Sequence, residues 1–146
     1  MATKPRTTAK TSLEITLDAT RLKKLAVEVL IPPEKSVKGT LNISFKVSLF
    51  HTLDESRLVI LLGIDGSGLS GDEGKVAFTV DAAIEGLCTL SRKPKEGELV
   101  GREPYLADYL VPILSDMIET VLTKSGYLGV SLPRSFPNKP VIGTPK

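Results

Sequence analysis

The sequence has few of the residues that most often carry out chemistry: one cysteine, one histidine and no tryptophan. Because Cys88 has no partner in the chain, an intrachain disulfide framework is excluded and a reducing compartment is indicated. A Ser–His–Asp or Cys–His arrangement would have to include His51, and a metal site would lack other nitrogen ligands. We therefore expect no enzymatic activity, no metal, no cofactor and a cytoplasmic location.

Both residues have a simpler interpretation than catalysis. His51 lies at a predicted strand end, which favours a structural or solvent-exposed role. Cys88 follows an apolar residue within a predicted strand and has no nearby basic residue in the sequence that would activate its thiol. We predict that this thiol is buried and unreactive.

Neither a strong excess of charge nor a long apolar run is present. Lysine and arginine number 19 against 17 acidic residues, and the net charge of +2 is too small to indicate nucleic acid or an anionic membrane as partner. Lys4, Arg6 and Lys10 precede an alternating pattern instead of the apolar run of a signal peptide. The longest apolar stretch, residues 58–63, is far shorter than the roughly 20 residues of a membrane-spanning helix. We expect neither nucleic-acid binding nor membrane insertion.

The 146 residues are 41% hydrophobic, which is enough for one domain with a core of its own. Alternating apolar and polar residues predict strands in the first two thirds of the chain, at residues 13–17, 25–31, 40–50, 57–64 and 75–90. The last four predict a four-stranded antiparallel sheet, and residues 13–17 are a candidate for an extra N-terminal strand.

Three features predict breaks within or between these strands. Residues 52–56 are polar and predict a hairpin turn. Residues 65–74 hold four glycines, which predicts a flexible connection; they lack the lysine of a phosphate-binding loop and the spacing of a calcium loop. Gly86 is a candidate for a bulge or bend within the last strand.

After a charged linker at residues 91–103 the period changes to that of a helix. Apolar residues recur at three- and four-residue spacing from Leu106 to Leu122, and Gly126 follows as an end signal. Pro112 lies inside this pattern, where its ring would clash with a preceding carbonyl, so we expect a kink or a restart. Strands followed by one long C-terminal helix predict an α+β fold.

Three stretches of the chain resemble the SecB family of chaperones. Residues 22–36, LKKLAVEVLIPPEKS, resemble its first strand and proline-containing exit, and residues 75–91, KVAFTVDAAIEGLCTLS, resemble its last sheet strand. Residues 109–136, YLVPILSDMIETVLTKSGYLGVSLPRSF, resemble its main helix, which begins near a proline and ends in glycine plus an aromatic residue. The resemblance spans residues 22–136.

This resemblance implies a SecB-like domain at residues 13–136, between a flexible basic arm (1–12) and a Pro-rich tail (137–146). It implies dimers that pair into a tetramer, and apolar grooves that bind unfolded or partly folded polypeptides, with a role in protein export as one option. The alternative is a non-catalytic structural or assembly protein, encoded by a phage or mobile element, that uses the same fold to oligomerise.

Two departures from the family bear on the partners. SecB proteins of the export pathway dock the translocase motor through an acidic outer sheet face, whereas this chain is slightly basic. One face of its clearest strand carries Asn42, Ser44, Lys46 and Ser48. This argues against motor docking. Residues 137–146 also replace the second long helix of the family.

The apolar strand and helix residues supply the candidate site. We predict that seven residues contact bound polypeptide: Leu30, Phe50, Leu61, Leu87, Tyr105, Tyr109 and Tyr127. We predict that the helix contributes the oligomer interface: Leu106, Leu110, Ile113, Met117 and Val121.

Overall fold

A computed structural model describes residues 12–35, 38–51, 56–71 and 74–137 of the chain. They form four strands and two helices: β1 (Ile15–Val29), β2 (Gly39–His51), β3 (Arg57–Ser70), β4 (Lys75–Leu90), α1 (Glu103–Ala107) and α2 (Val111–Lys124). Except for Ser12, Ser56 and Pro137, the predicted arm, tail and 52–56 turn lie outside the described residues.

The strands form one antiparallel sheet in the order β1-β4-β3-β2. Side chains of one face are buried in alternation along its two central strands, and both helices pack on that face. We call it the covered face and the other the open face. The core residues of the central strands include Leu58, Ile60, Leu62, Ile64, Val80, Ala82, Ile84 and Cys88. The predicted α+β class is confirmed.

The two strand patterns predicted near the N-terminus belong to one strand. The pairing of β1 with β4 shifts between Leu17 and Ala19 and again between Leu22 and Lys24, so one extra residue is inserted at each place. Each insertion reverses which residues face the core. The second insertion restores the original alternation of core-facing and outward-facing residues. The sequence therefore shows two patterns with a gap between them.

The predicted flexible connection at residues 65–74 is wrong over most of its length. β3 continues to Ser70 and is hydrogen-bonded to strands on both sides. Glycine is needed here for space. Gly66 has φ +151°, and a Cβ on it would lie 2.2 Å from the carbonyl oxygen of Asn42. A Cβ on Gly68 would lie 2.3 Å from the ring of Phe78.

The predicted restart near Pro112 is confirmed, because the chain forms two helices separated by residues 108–110. Pro112 lies in the first turn of α2, where its missing N–H would have no intrahelical acceptor. Gly86 is not a bulge, since it pairs in regular register on both sides. It instead leaves room for the helix, because a Cβ on Gly86 would lie 2.9 Å from Leu110 Cδ2.

Residues 127–137, here called the return segment, run from the end of α2 back toward its start. Leu132 is buried, and the ring of Phe136 packs edge-on against Phe45 of β2, with centroids 5.8 Å apart. Polar bonds tie the segment to the helices: Ser115 Oγ to the Pro133 carbonyl at 2.8 Å, the Leu132 amide to Glu119 Oε2 at 2.6 Å, and the Phe136 amide to Asp108 Oδ1 at 2.7 Å.

Candidate functional site

A groove of about 530 Å³ opens at the end of the sheet where β2 begins and β3 ends. One side is formed by residues 38–41 and the other by residues 126–131, with Pro33 at the mouth. Sheet residues at positions 68, 69, 77 and 78 complete the lining. The groove therefore lies between the first residues of an edge strand and the start of the return segment.

Two aromatic rings form the inner part of this groove. Phe78 and Tyr127 pack edge to face with ring centroids 4.9 Å apart, and Tyr127 donates a hydrogen bond from its hydroxyl to the Ile31 carbonyl. Gly68 lets the ring of Phe78 lie against the β3 backbone. Both rings are at least nine-tenths buried. They form a fixed, apolar floor.

The outer wall of the groove is apolar and accessible. Leu128 is 75% exposed, and half-buried Val130 lines the groove beside it. Gly126 and Gly129 have φ of +95° and +79°, a region that favours glycine. A Cβ on Gly126 would meet Pro33, so the end of α2 lies directly against the turn that follows β1. The backbone between these glycines presents Leu128 to solvent.

A second apolar depression, of about 380 Å³, lies at the other end of the sheet, between the start of β1 and α1. It is lined by Leu13, Ile15 and Leu106 together with Tyr105, Tyr109 and one charged residue, Arg102. The two tyrosines are about two-fifths exposed. Its most deeply buried lining residue is Leu106, which is 7% exposed.

Several charged side chains on the open face have a polar or charged partner on an adjacent strand. Arg21 Nη2 lies 2.7 Å from Glu85 Oε1, Lys24 pairs with Asp81, and Ser44 donates to Asp65 at 2.7 Å. These carboxylates are thus matched by neighbours on adjacent strands. The described part of the open face has no unmatched acidic strip.

The comparisons with known proteins give a match in structure but not in sequence. No protein family and no curated protein matches this chain. A similar fold occurs in the Mycobacterium tuberculosis SecB-like chaperone Rv1957, solved in complex with a ChAD peptide from the Rv1956 HigA1 antitoxin. The TM-score is 0.70 at 14% identity, over 82% of this chain and 89% of that chain. This chain has a SecB-like fold.

A looser similarity links the chain to a Streptococcus agalactiae protein of unknown function, with a TM-score of 0.48 and 12% identity over 84% of this chain and 98% of that one. At 14% identity, the similarity to Rv1957 shows a shared architecture alone. The predicted four-stranded antiparallel sheet packed by a C-terminal helix is a SecB-like fold, although the one long helix of the prediction is divided into α1 and α2.

Within this SecB-like fold the seven predicted polypeptide contacts fall on three separate surfaces. Tyr127 lines the groove, and Leu30 lies near it, because the Leu30 amide bonds to the carbonyl of Ala77 in the groove lining. Tyr105 and Tyr109 lie in the second depression. The others are strand residues that share the open face: Phe50, Leu61 and Leu87.

Exposure separates these candidates further. Leu30 and Phe50 are half exposed, whereas Tyr127 is 9% exposed and contributes to the floor rather than to the accessible wall. Sequence analysis missed the accessible wall residue, Leu128, and the floor residue Phe78. The sequence did contain a signal for Leu128, because this large apolar residue lies between two glycines next to a helix end.

The five residues predicted for the oligomer interface differ in exposure within the protomer. Leu106 and Leu110 are 7% and 0% exposed, because the protomer's own core covers them. In the protomer Leu110 presents no surface and Leu106 presents little, at the lining of the second depression. Ile113, Met117 and Val121 follow one another at four-residue spacing on α2 and are half-buried. They form a stripe, the α2 stripe, that retains exposed apolar area.

The candidate chemical residues lie away from the groove. His51 is exposed at the end of β2. Among the described residues, no three His, Cys, Asp or Glu side chains are grouped so that they could hold a metal ion. Glu98 accepts hydrogen bonds from the Arg92 guanidinium and the Lys95 amide within the linker after β4, and these bonds lower the pKa of Glu98 to about 2. No helix in the described part of the chain is long and apolar enough to cross a membrane.

Cys88 is 1% exposed, and its burial, with a smaller effect of Asp18, raises the pKa of the thiol to about 11. We expect iodoacetamide at pH 8 to label it at least about 100-fold more slowly in the folded protein than in urea, because thiolate is the reactive form. Mass spectrometry over a time course measures both rates. Rapid labelling of the folded protein would contradict the burial of this residue.

Proposed function

We propose that this protein is a non-enzymatic, cytoplasmic holdase chaperone or adaptor of SecB type that binds non-native polypeptide in the groove. The observation that carries the proposal is the groove itself, with an aromatic floor fixed by Phe78 and Tyr127 and an exposed apolar wall at Leu128. A folded protein rarely leaves such a surface uncovered without a binding role.

The size of the groove suits parts of a polypeptide rather than a compact ligand. A volume of about 530 Å³ accommodates a few apolar side chains. The rest of a bound chain would extend along neighbouring surface. β2 lies at the edge of the sheet, and its start lines the groove, so an extended client could also bond to free backbone groups there. Such contacts depend little on client sequence.

The structural comparison is consistent with this proposal. The Rv1957 structure is that of a SecB-like chaperone bound to an antitoxin peptide, so this fold can accept a peptide segment. The mutual pairing of charges on the open face gives no support for docking of a translocase motor, and we do not include export in the proposal.

Suppression of aggregation tests the proposal. The purified protein, in stoichiometric amounts, should prevent light scattering by a chemically unfolded client diluted into buffer. A stable protein that leaves the scattering unchanged, and that binds no unfolded chain in a pull-down with the same client, would refute the proposed function.

A matched pair of substitutions places the activity in the groove. Leu128→Ser should weaken client binding by about 1–2 kcal/mol, or roughly five- to thirty-fold, because Leu128 is the exposed wall and would be covered by the client. Val100→Ser is the control, since Val100 is equally exposed, at 76%, in the linker after β4. Neither change should alter stability by more than about 0.5 kcal/mol. Equal binding by both variants would contradict the assignment of the groove.

The apolar surfaces outside the groove favour self-association as a second candidate role. Tyr105 and Tyr109, the open-face residue Phe50 and the α2 stripe are all partly exposed. Identical subunits could cover them in a dimer or tetramer, as in a structural or assembly protein. Light scattering of the protein alone distinguishes the roles: a tight oligomer with no affinity for unfolded client favours assembly.

A further inference from the structure

Three lysines lie in the groove lining or in the segments next to it. Lys38 is the charged residue among those that line it, and its side chain is exposed. Lys35 ends the short 3-10 turn that begins at the lining residue Pro33, and Lys124 ends α2 next to the lining residues 126–131. None of the three lysines has an ion-pair partner among the described residues.

This arrangement differs from that of the basic residues of β1, which have carboxylate partners. On the open face, Arg21 and Lys24 are each paired with a carboxylate of β4. Among the described residues, Glu34 is the one carboxylate within three positions of these lysines, and Glu119 of α2 is paired with Arg134. Asp72 and Glu73, which follow β3 in the chain, lie outside the described residues. Among the described residues near the groove, lysines without ion-pair partners thus outnumber carboxylates.

We infer that the groove selects polypeptide segments in which an apolar, preferably aromatic, residue is flanked by aspartate or glutamate. The inference rests on the proposed function, since it names the class of client that the same groove takes. The apolar residue would pack against Phe78 and Tyr127, and carboxylates on either side would lie near Lys38 and its two neighbouring lysines.

The apolar floor by itself cannot create this preference. It stabilises any apolar side chain by an amount that depends on buried area. The lysines add an electrostatic contribution that changes sign with the charge of the flanking residues. One exposed ion pair changes an affinity by about 1.5- to 5-fold, so three lysines favour acidic over neutral flanks on the order of tenfold at low salt. The effect should shrink at 1 M salt, where the screening length is about 3 Å.

Fluorescence anisotropy with three labelled peptides tests the inference on the full-length protein. The peptides share one apolar core with a central phenylalanine and differ only in flanks of aspartate, serine or lysine. We expect the aspartate-flanked peptide to bind about tenfold more tightly than the serine-flanked one at low salt, and the lysine-flanked peptide to bind most weakly. Lys38→Glu should reduce the preference for acidic flanks several-fold.

A matched control locates the effect. Lys46→Glu makes the same change of charge on the open face of β2, at an exposed lysine without an ion-pair partner among the described residues, and should leave the order and spacing of the three affinities unchanged. Three peptides that bind equally well would overturn the charge preference and leave the proposed function in place. Absence of binding by all three would overturn the proposed function and the inference together.

Discussion

Replacing Gly66 by alanine is expected to lower the free energy of unfolding by about 2–5 kcal/mol. Two effects add. At φ +151° an alanine is strained, and its Cβ would lie 2.2 Å from the Asn42 carbonyl oxygen and 2.6 Å from Ile43 Cα on β2. Both of these neighbours are backbone atoms of a paired strand, so relief requires β2 and β3 to separate locally.

The same strand contains a matched control. Gly63→Ala places a Cβ no closer than 3.7 Å to any non-neighbouring atom, which is an ordinary contact, and Gly63 has no positive φ. We expect stability to change by less than about 1 kcal/mol, with a small gain in strand propensity. Urea unfolding followed by circular dichroism measures both variants. Similar midpoints for the two would show that the β3 backbone at Gly66 is not constrained in this way.

Replacing Tyr127 by alanine is the second change with a large expected effect, about 3–5 kcal/mol of unfolding free energy. The substitution removes a ring that is 9% exposed, its edge-to-face contact with Phe78 and its hydrogen bond to Ile31. The floor of the groove would be lost with it. Client affinity should therefore fall together with stability.

Tyr127→Phe separates these contributions. It keeps the ring and the Phe78 contact and removes only the hydroxyl, so the loss of stability should be about 1 kcal/mol. Client binding should be retained, because the apolar floor is intact. Thermal or urea unfolding and peptide anisotropy are measured on both variants. A phenylalanine variant that loses binding as completely as the alanine variant would show that the hydroxyl, and not the ring, is essential to the groove.

Residue patterns predicted the element types well where one rule acted alone. β2 alternates between apolar and polar side chains from Leu41 to Leu49, and its pairing with β3 shows no register shift, so its prediction needed no tertiary information. The helix restart followed from the covalent geometry of Pro112. Strand pairing outweighed local preference at two places. In β1, two inserted residues made one strand look like two in the sequence, and in β3 the glycine-rich half remains paired in the sheet.

The candidate site was harder to predict than the fold. A partly exposed contact residue and a buried core residue can look identical in a sequence pattern. Leu110 and Ile113, three positions apart in the same helical pattern, are an example. Leu110 packs over Gly86 and is fully buried, whereas Ile113 is not. Which of two apolar residues is left uncovered depends on how the helices lie across the sheet.

The sequence by itself determined the class of the fold, the order of its strands and helices, the restart at Pro112 and the scarcity of residues suited to catalysis. These follow from local periodicity, backbone chemistry and composition, which act within a few residues. Only the tertiary structure decided that Gly68, Phe78, Tyr127 and Leu128 meet in one groove with unmatched lysines beside it. These residues are far apart in the chain, and they meet because antiparallel pairing and the return segment bring them together. A local sequence pattern does not contain information about such long-range contacts.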